Sequence, residues 1–91
     1  MVAEVAMLLM VEGPSPGKRY FIDQPVLLIG RDARCDVLVA DRQVTRQHAS
    51  ITLEKDGYVL QDLGSKNGTF VNGQELKGPH LLQDGDEIQI A

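Results

Sequence analysis

The chain has 91 residues and an apolar fraction of 43%, enough for one small domain with a single core and well above the composition of a disordered chain. Its formal net charge of −4 argues against nucleic-acid binding through overall positive charge. One cysteine, Cys35, excludes an internal disulfide and a Cys-rich metal frame, and suits a reducing compartment.

The first element is an apolar run, Val5 to Val11. It is too short to span a bilayer, and Glu4 stands where a secretory signal carries Lys or Arg, so the run is expected to be a buried strand in a cytoplasmic protein. Glu12 to Gly17 is dense in Gly, Pro and Ser and forms a surface connection. Lys18 to Ile22 is a short strand, broken by Asp23-Gln24-Pro25. Val26 to Ile29 is a compact apolar run ending at Gly30, long enough for a buried strand and too short for a helix.

Arg31 to Asp36 is a polar loop, followed by a short strand over Asp36–Val39 and a second loop over Ala40–Gln43. Ala49 to Glu54 then alternates apolar with polar, which predicts a strand with Ala49, Ile51 and Leu53 facing inward. Lys55-Asp56-Gly57 turns the chain back into Tyr58 to Leu63, a hairpin. Next comes Gly64 to Gly73, which holds two Asn-Gly pairs around the β-favouring Thr69-Phe70-Val71. Asn72-Gly73 has the layout of a two-residue hairpin turn into Gln74-Glu75-Leu76, whereas Asn67-Gly68 shapes a loop. Lys77-Gly78-Pro79 is another loop. Asp84-Gly85-Asp86 leads into a last strand, Glu87 to Ile90, with Ile88 and Ile90 on one face.

No segment carries apolar residues at spacings of three and four over a helical length. Short strands separated by turn chemistry predict an all-β domain, an antiparallel sandwich or barrel of about ten strands covering 1–91.

Catalysis and metal binding have little support. Ser65, His48 and Asp62 are the residue types of a nucleophilic triad, but nothing surrounds Ser65 like a nucleophile elbow. Gly64 to Thr69 lacks the Gly-Lys-Ser/Thr ending of a triphosphate-binding loop. His48 and His80 with scattered carboxylates have no ligand spacing, so neither metal nor cofactor is expected. The basic residues Arg31, Arg34, Arg42, Arg46 and Lys66 all fall in loops. They are either ordinary solvated charges or, if Gly30-Arg31, Thr45-Arg46 and Ser65-Lys66-Asn67 meet at one end, a set of donors for a dianionic phosphate.

One ordered set of motifs bears on that choice. Gly30-Arg31, Cys35-Asp36-Val37, Val44 to Ala49, Asp62 to Gly73 and Leu82 to Ile88 together closely resemble the forkhead-associated (FHA) domain from about Val26 to Ile90. The resemblance implies a β-sandwich whose loops at one end bind a phosphothreonine-containing protein or peptide, without catalysis. It implies a phosphate-binding role for Arg31 and a hydroxyl contact from Thr45, where the family usually has Ser. Arg46 adds charge, Lys66 contacts the phosphate or its surroundings, and Asn67 holds the ligand backbone beside the phosphothreonine. His48 supports the loops, while Gly30, Gly68, Asn72 and Gly73 are structural. The family usually continues past the position of Ala91 into a final strand pairing near the first. That strand is therefore expected outside this chain, the alternative being an edge-strand dimer, a phospho-independent scaffold built on an open sheet edge.

Overall fold

The computed structural model describes residues 6–9 and 16–90. Val5, Met10 and Val11 of the first apolar run, and Glu12 to Ser15 of the connection after it, lie outside the described residues, as does Ala91. Ten strands and no helix are present among them: β1 (Ala6–Leu9), β2 (Arg19–Ile22), β3 (Val26–Gly30), β4 (Val37–Leu38), β5 (Ala49–Glu54), β6 (Gly57–Asp62), β7 (Thr69–Val71), β8 (Gln74–Glu75), β9 (His80–Leu81) and β10 (Ile88–Ile90). They form a five-stranded sheet in the order β4-β3-β5-β6-β9, a three-stranded sheet β10-β7-β8, and the ribbon β1-β2. The all-β sandwich read from the sequence is the fold observed.

The period-two pattern places the core. On the five-stranded sheet the inward phase carries Leu27 and Ile29 of β3, Val37 of β4, Ala49 and Ile51 of β5, and Leu60 of β6. Ile22 and Val71 close over them from the other layer, helped by the half-buried Leu8, Tyr20, Ile88 and Ile90. Ile88 and Ile90 share a face, as their spacing requires. With few aromatics the chain fills this space by interlocking branched aliphatics, each contributing roughly 1.5–3 kcal/mol when fully buried.

Three expectations are corrected and one element is added. β3 and β4 pair in parallel, Ile29 against Val37, so the sandwich is not wholly antiparallel. Leu53 keeps the inward phase but is 52% exposed, because it lies at the end of β5 beyond the cover of the opposite layer. β1 is not a buried strand: Met7 and Leu9 are exposed, and of its described side chains only Leu8 packs against the core. β9 was hidden in the sequence, since two residues between loops carry no period. The Asn72-Gly73 turn joins Val71 to its register partner Gln74 with both turn residues at positive φ, 51° and 84°, the two-residue geometry that Asn-Gly favours.

Candidate functional site

Register brings three loops to one end of the sandwich. Ile29 opposes Ala49 and Ala49 opposes Asp62, so the end of β3, the start of β5 and the end of β6 lie side by side. The loops leaving them are 31–36, 39–48 and 63–68. They carry Arg31, Arg34, Arg42, Arg46 and Lys66, five of the nine Lys and Arg in the chain, and all five are exposed.

The first two loops are stitched together by backbone. The Arg31 amide donates to the Thr45 carbonyl at 3.2 Å, the Asp32 amide to the Arg46 carbonyl at 3.1 Å, and the His48 amide to the Ile29 carbonyl at 2.9 Å. Gly30 makes this approach possible: a Cβ there would overlap the Arg46 carbonyl. The buried Cys35 thiol donates to the same carbonyl at 3.2 Å. Burial raises this thiol above its ordinary value, so it stays protonated and able to donate.

Within that frame, the Arg31 Nε donates to the Val44 carbonyl at 2.9 Å. This fixes the plane of the guanidinium and leaves both terminal nitrogens without a hydrogen-bond partner among the described residues. The Thr45 hydroxyl oxygen accepts the Lys66 amide at 3.0 Å, so its own hydrogen remains available to an anion. That hydrogen bond also carries Lys66 to the Thr45 side of the site. Arg46 and Lys66 have no carboxylate within ion-pair distance among the described residues. Arg34 differs, gripping Asp32 through two nitrogens at 3.1 and 3.2 Å. Its hydrogen bonds hold the Asp32 carboxyl down at about 2.

His48 is fully buried and joins the second loop to the third. Its Nδ1 accepts the Thr45 amide at 3.1 Å and its Nε2 lies 2.7 Å from the Gly68 carbonyl. An amide can only donate and a carbonyl only accept, so the proton sits on Nε2. His48 therefore braces the loops and has no nitrogen left for a ligand. Gly68, at φ 88°, supplies the carbonyl.

Asn67 donates through Nδ2 to the Gln43 carbonyl at 2.7 Å and to Gln43 Oε1 at 3.2 Å. The third loop is built on Asp62. Its Oδ2 accepts the Gly64 and Ser65 amides, both at 3.0 Å, and its Oδ1 accepts the Ser65 and Thr69 hydroxyls. Ser65 Oγ in turn accepts the Gly68 amide at 3.0 Å. Partial burial alone would raise the Asp62 carboxyl; these donors outweigh it and hold it below its ordinary value. The triad-like residue types thus have loop-building partners, and Ser65 faces Asp62 rather than His48.

The structure brings Arg31, Thr45, Arg46, Lys66 and Asn67 together, with Gly30, His48 and Gly68 beneath them, while Asn72 and Gly73 lie at the far end in their hairpin. The Val44 carbonyl, Gln43 and the Asp62–Ser65–Thr69 cluster were missed as parts of the site. Asp62, two residues before Gly64-Ser65, carried an Asx-turn signal; a backbone carbonyl and a loop Gln carry none.

Three comparisons bear on this arrangement. The FHA domain family profile matches residues 27–91. The oxoglutarate dehydrogenase inhibitor of Corynebacterium efficiens is 40% identical over 85 residues, 93% of this chain and 59% of the relative. The glycogen accumulation regulator GarA of Mycolicibacterium smegmatis is 39% identical over 85 residues, 93% of this chain and 53% of the relative. The chain thus spans between about half and three-fifths of these curated relatives. Among solved structures, the FhaA FHA domain complexed with the intracellular domain of Rv3910 superposes with a TM-score of 0.83 at 31% identity, covering 96% of this chain and 91% of that one. A chain from a structural and functional analysis of phosphothreonine-dependent FHA domain interactions gives the same TM-score and identity, covering 94% and 85%. A family profile spanning most of the chain, on a sandwich that gathers the motif residues on three adjoining loops, makes this chain a member of the FHA domain family.

Proposed function

We propose that the chain is a phosphothreonine-dependent protein-interaction module that recognises a phosphorylated segment of a partner protein and performs no catalysis. The observation that carries this reading is the state of the donors: Arg31 is pinned through Nε with its terminal nitrogens unpartnered among the described residues, and Thr45 is pinned through its lone pair with its hydrogen open. Such a cluster presents charge and directed donors to a dianion without reorganising on binding. The FHA domains to which the chain is similar include one studied for phosphothreonine-dependent interactions, which supports the assignment of ligand. The engagement of Ser65, Asp62 and both nitrogens of His48 within the loops supports a binding role over a chemical one. The cytoplasm is the compartment we assign to it, where kinases and free thiols coexist.

Hydrogen bonds to a charged group are worth about 1.5–3 kcal/mol each. Several of them, less the cost of association, correspond to an affinity of roughly micromolar order. The test is calorimetric titration of phosphothreonine, phosphoserine and unmodified versions of one peptide against wild type and Arg31→Ala. Wild type should bind the phosphothreonine form best, the unmodified form not at all, and Arg31→Ala should lose the phosphate-dependent part. Equal affinity for all three peptides would overturn the proposal.

A second reading, self-association through a sheet edge, is favoured by β1 and β10, each of which pairs on one side only among the described strands. Light scattering across a concentration series tests it, and a strict monomer throughout argues against it.

A further inference from the structure

Two Asn-Gly pairs stand in this chain, Asn67-Gly68 and Asn72-Gly73, and Asn-Gly is the dipeptide that loses its side-chain amide most readily. The glycine nitrogen, with no side chain to shield it, attacks Cγ of the asparagine. A bond forms between that nitrogen and Cγ, the Cγ–Nδ2 bond breaks, and ammonia leaves with the proton given up by the glycine amide. Water then opens the cyclic imide at either carbonyl, leaving aspartate or isoaspartate. Both asparagines are exposed, so their fate depends on how the reacting atoms are tied. The two pairs are tied at opposite ends of the reaction. At Asn72-Gly73 the carboxamide that is attacked is clamped: Nδ2 donates to Asp86 Oδ1 at 2.9 Å and Oδ1 accepts the Glu87 amide at 3.0 Å. The Gly73 amide has no acceptor among the described residues. At Asn67-Gly68 the attacking nitrogen is clamped instead. The Gly68 amide donates to Ser65 Oγ at 3.0 Å, and Ser65 spends its own hydrogen on Asp62 Oδ1, which keeps its lone pair on Gly68.

We propose that Asn67-Gly68 is a latent deamidation site within the binding surface, held shut by the Ser65 hydroxyl, and that opening it disables the surface. A hydrogen-bonded amide must first part from its acceptor before it can turn on Cγ and give up its proton, so the reaction runs through local opening of the third loop. The Asp62–Ser65–Gly68 chain thus does more than shape the loop: it keeps residue 67 an amide. Conversion sets a carboxylate beside Lys66, among donors and positive charges gathered for a dianion, where a like charge repels the ligand. Isoaspartate also adds a methylene to the backbone just ahead of Gly68, whose carbonyl meets His48 Nε2 at 2.7 Å, so the brace between the second and third loops shifts with it. The loss of binding rests on the phosphothreonine reading above; the lock on the Gly68 amide does not.

The experiment is an ageing series read by peptide mapping in a mass spectrometer, which follows each asparagine separately as amide becomes acid. Wild type in urea sets the unrestrained rate at both pairs, and folded wild type should be slower at both. Ser65→Ala should convert Asn67 about fivefold faster than folded wild type, the gain in open loop expected from losing one hydrogen bond, with Asn72 unchanged. Asp86→Ala should do the reverse, releasing Asn72 and sparing Asn67. Each pair is therefore the internal control for the other. A Ser65→Ala rate at Asn67 equal to or below that of wild type would overturn the lock, as would an equal rise at both pairs, which is general unfolding. Hydrogen exchange on wild type needs no variant: the Gly68 amide should exchange far more slowly than that of Gly73, and equal rates would also overturn it. Phosphopeptide titration of fresh and aged Ser65→Ala reads the consequence, with the fraction able to bind falling as Asn67 is converted; undiminished binding by converted protein would overturn that half of the proposal. If fresh wild type binds phosphorylated and unphosphorylated peptide alike, the reading of the ligand has failed, and the mass spectra still decide the lock.

Discussion

At the scale of single residues, the site works because side chains are half used. Thr45 shows this most directly: its oxygen accepts the Lys66 amide and its hydrogen is left over. The extra methyl that separates it from the more usual Ser leaves that arrangement intact, since the hydroxyl oxygen still accepts from the third loop at 3.0 Å. Thr45→Ser should therefore keep phosphopeptide affinity within a few-fold, while the near-isosteric Thr45→Val should lose about tenfold or more through the missing donor. Titration calorimetry with circular dichroism as a check on folding separates the two. Gly30 poses the opposite case, in which the backbone and not a side chain is at stake. Gly30→Ala forces a methyl into the Arg46 carbonyl and must part the two loops or the β3–β5 register. The expected result is a fall in stability of about 1–3 kcal/mol in urea unfolding. A variant as stable as wild type would show that the loops separate without cost.

At the scale of the element, each loop is a local hydrogen-bonded unit placed by a strand, and this decides what could be read in advance. The alternation of Ala49 to Glu54 and the Asn72-Gly73 turn are local signals, and both appear where they were expected. The parallel pairing of β4, the brief β9 and the exposure of Leu53 depend on which strands end up opposite one another, which no local window contains. The site divides in the same way. Arg31, Thr45 and Asn67 sit in ordered motifs, but the groups that orient them are the Val44 carbonyl, the Lys66 amide and Gln43, brought near only by the fold. The third loop offers a test of its own. Because the Asp62 carboxyl is held below its unfolded value, it contributes stability that is fully present above the unfolded pKa of about 3.9 and lost as pH falls through the folded pKa. Wild type should therefore exceed Asp62→Asn in stability at pH 7, with the gap closing below about pH 4. Asp32 and Asp86 are also depressed, but they are common to both proteins and cancel in the difference. A gap that stays constant down to pH 2.5 in urea unfolding would mean that the charge of Asp62 does not hold the loop.

At the scale of the whole molecule, the charges are divided unequally along the sandwich. The carboxylates at the far end, Asp23, Glu54, Asp56, Asp84, Asp86 and Glu87, lie beyond the other ends of β3, β5, β6 and β7. At the site end, Asp32 is tied to Arg34, while Asp41 and Asp62 point into backbone donors; Arg31, Arg42, Arg46 and Lys66 stay exposed. An acidic phosphopeptide approaching a protein of net charge −4 therefore meets two opposing influences, a repulsive total and an attractive end. Their relative weight follows from distance. β5 runs from Ala49 at the site end to Glu54 at the other, roughly 17 Å at about 3.3 Å per residue and more than the Debye length of about 10 Å at 0.1 M salt, so the far carboxylates are largely screened at the site while the basic loops are not. Raising ionic strength from low to physiological values should then weaken phosphopeptide binding, mainly through a slower association rate. If the net charge governed instead, salt would relieve repulsion and speed association. Stopped-flow association rates across a salt series distinguish the two by sign. Arg42→Glu, which touches none of the five donors assigned to the ligand, should flatten or reverse the slope while sparing the hydrogen bonds of Arg31 and Thr45.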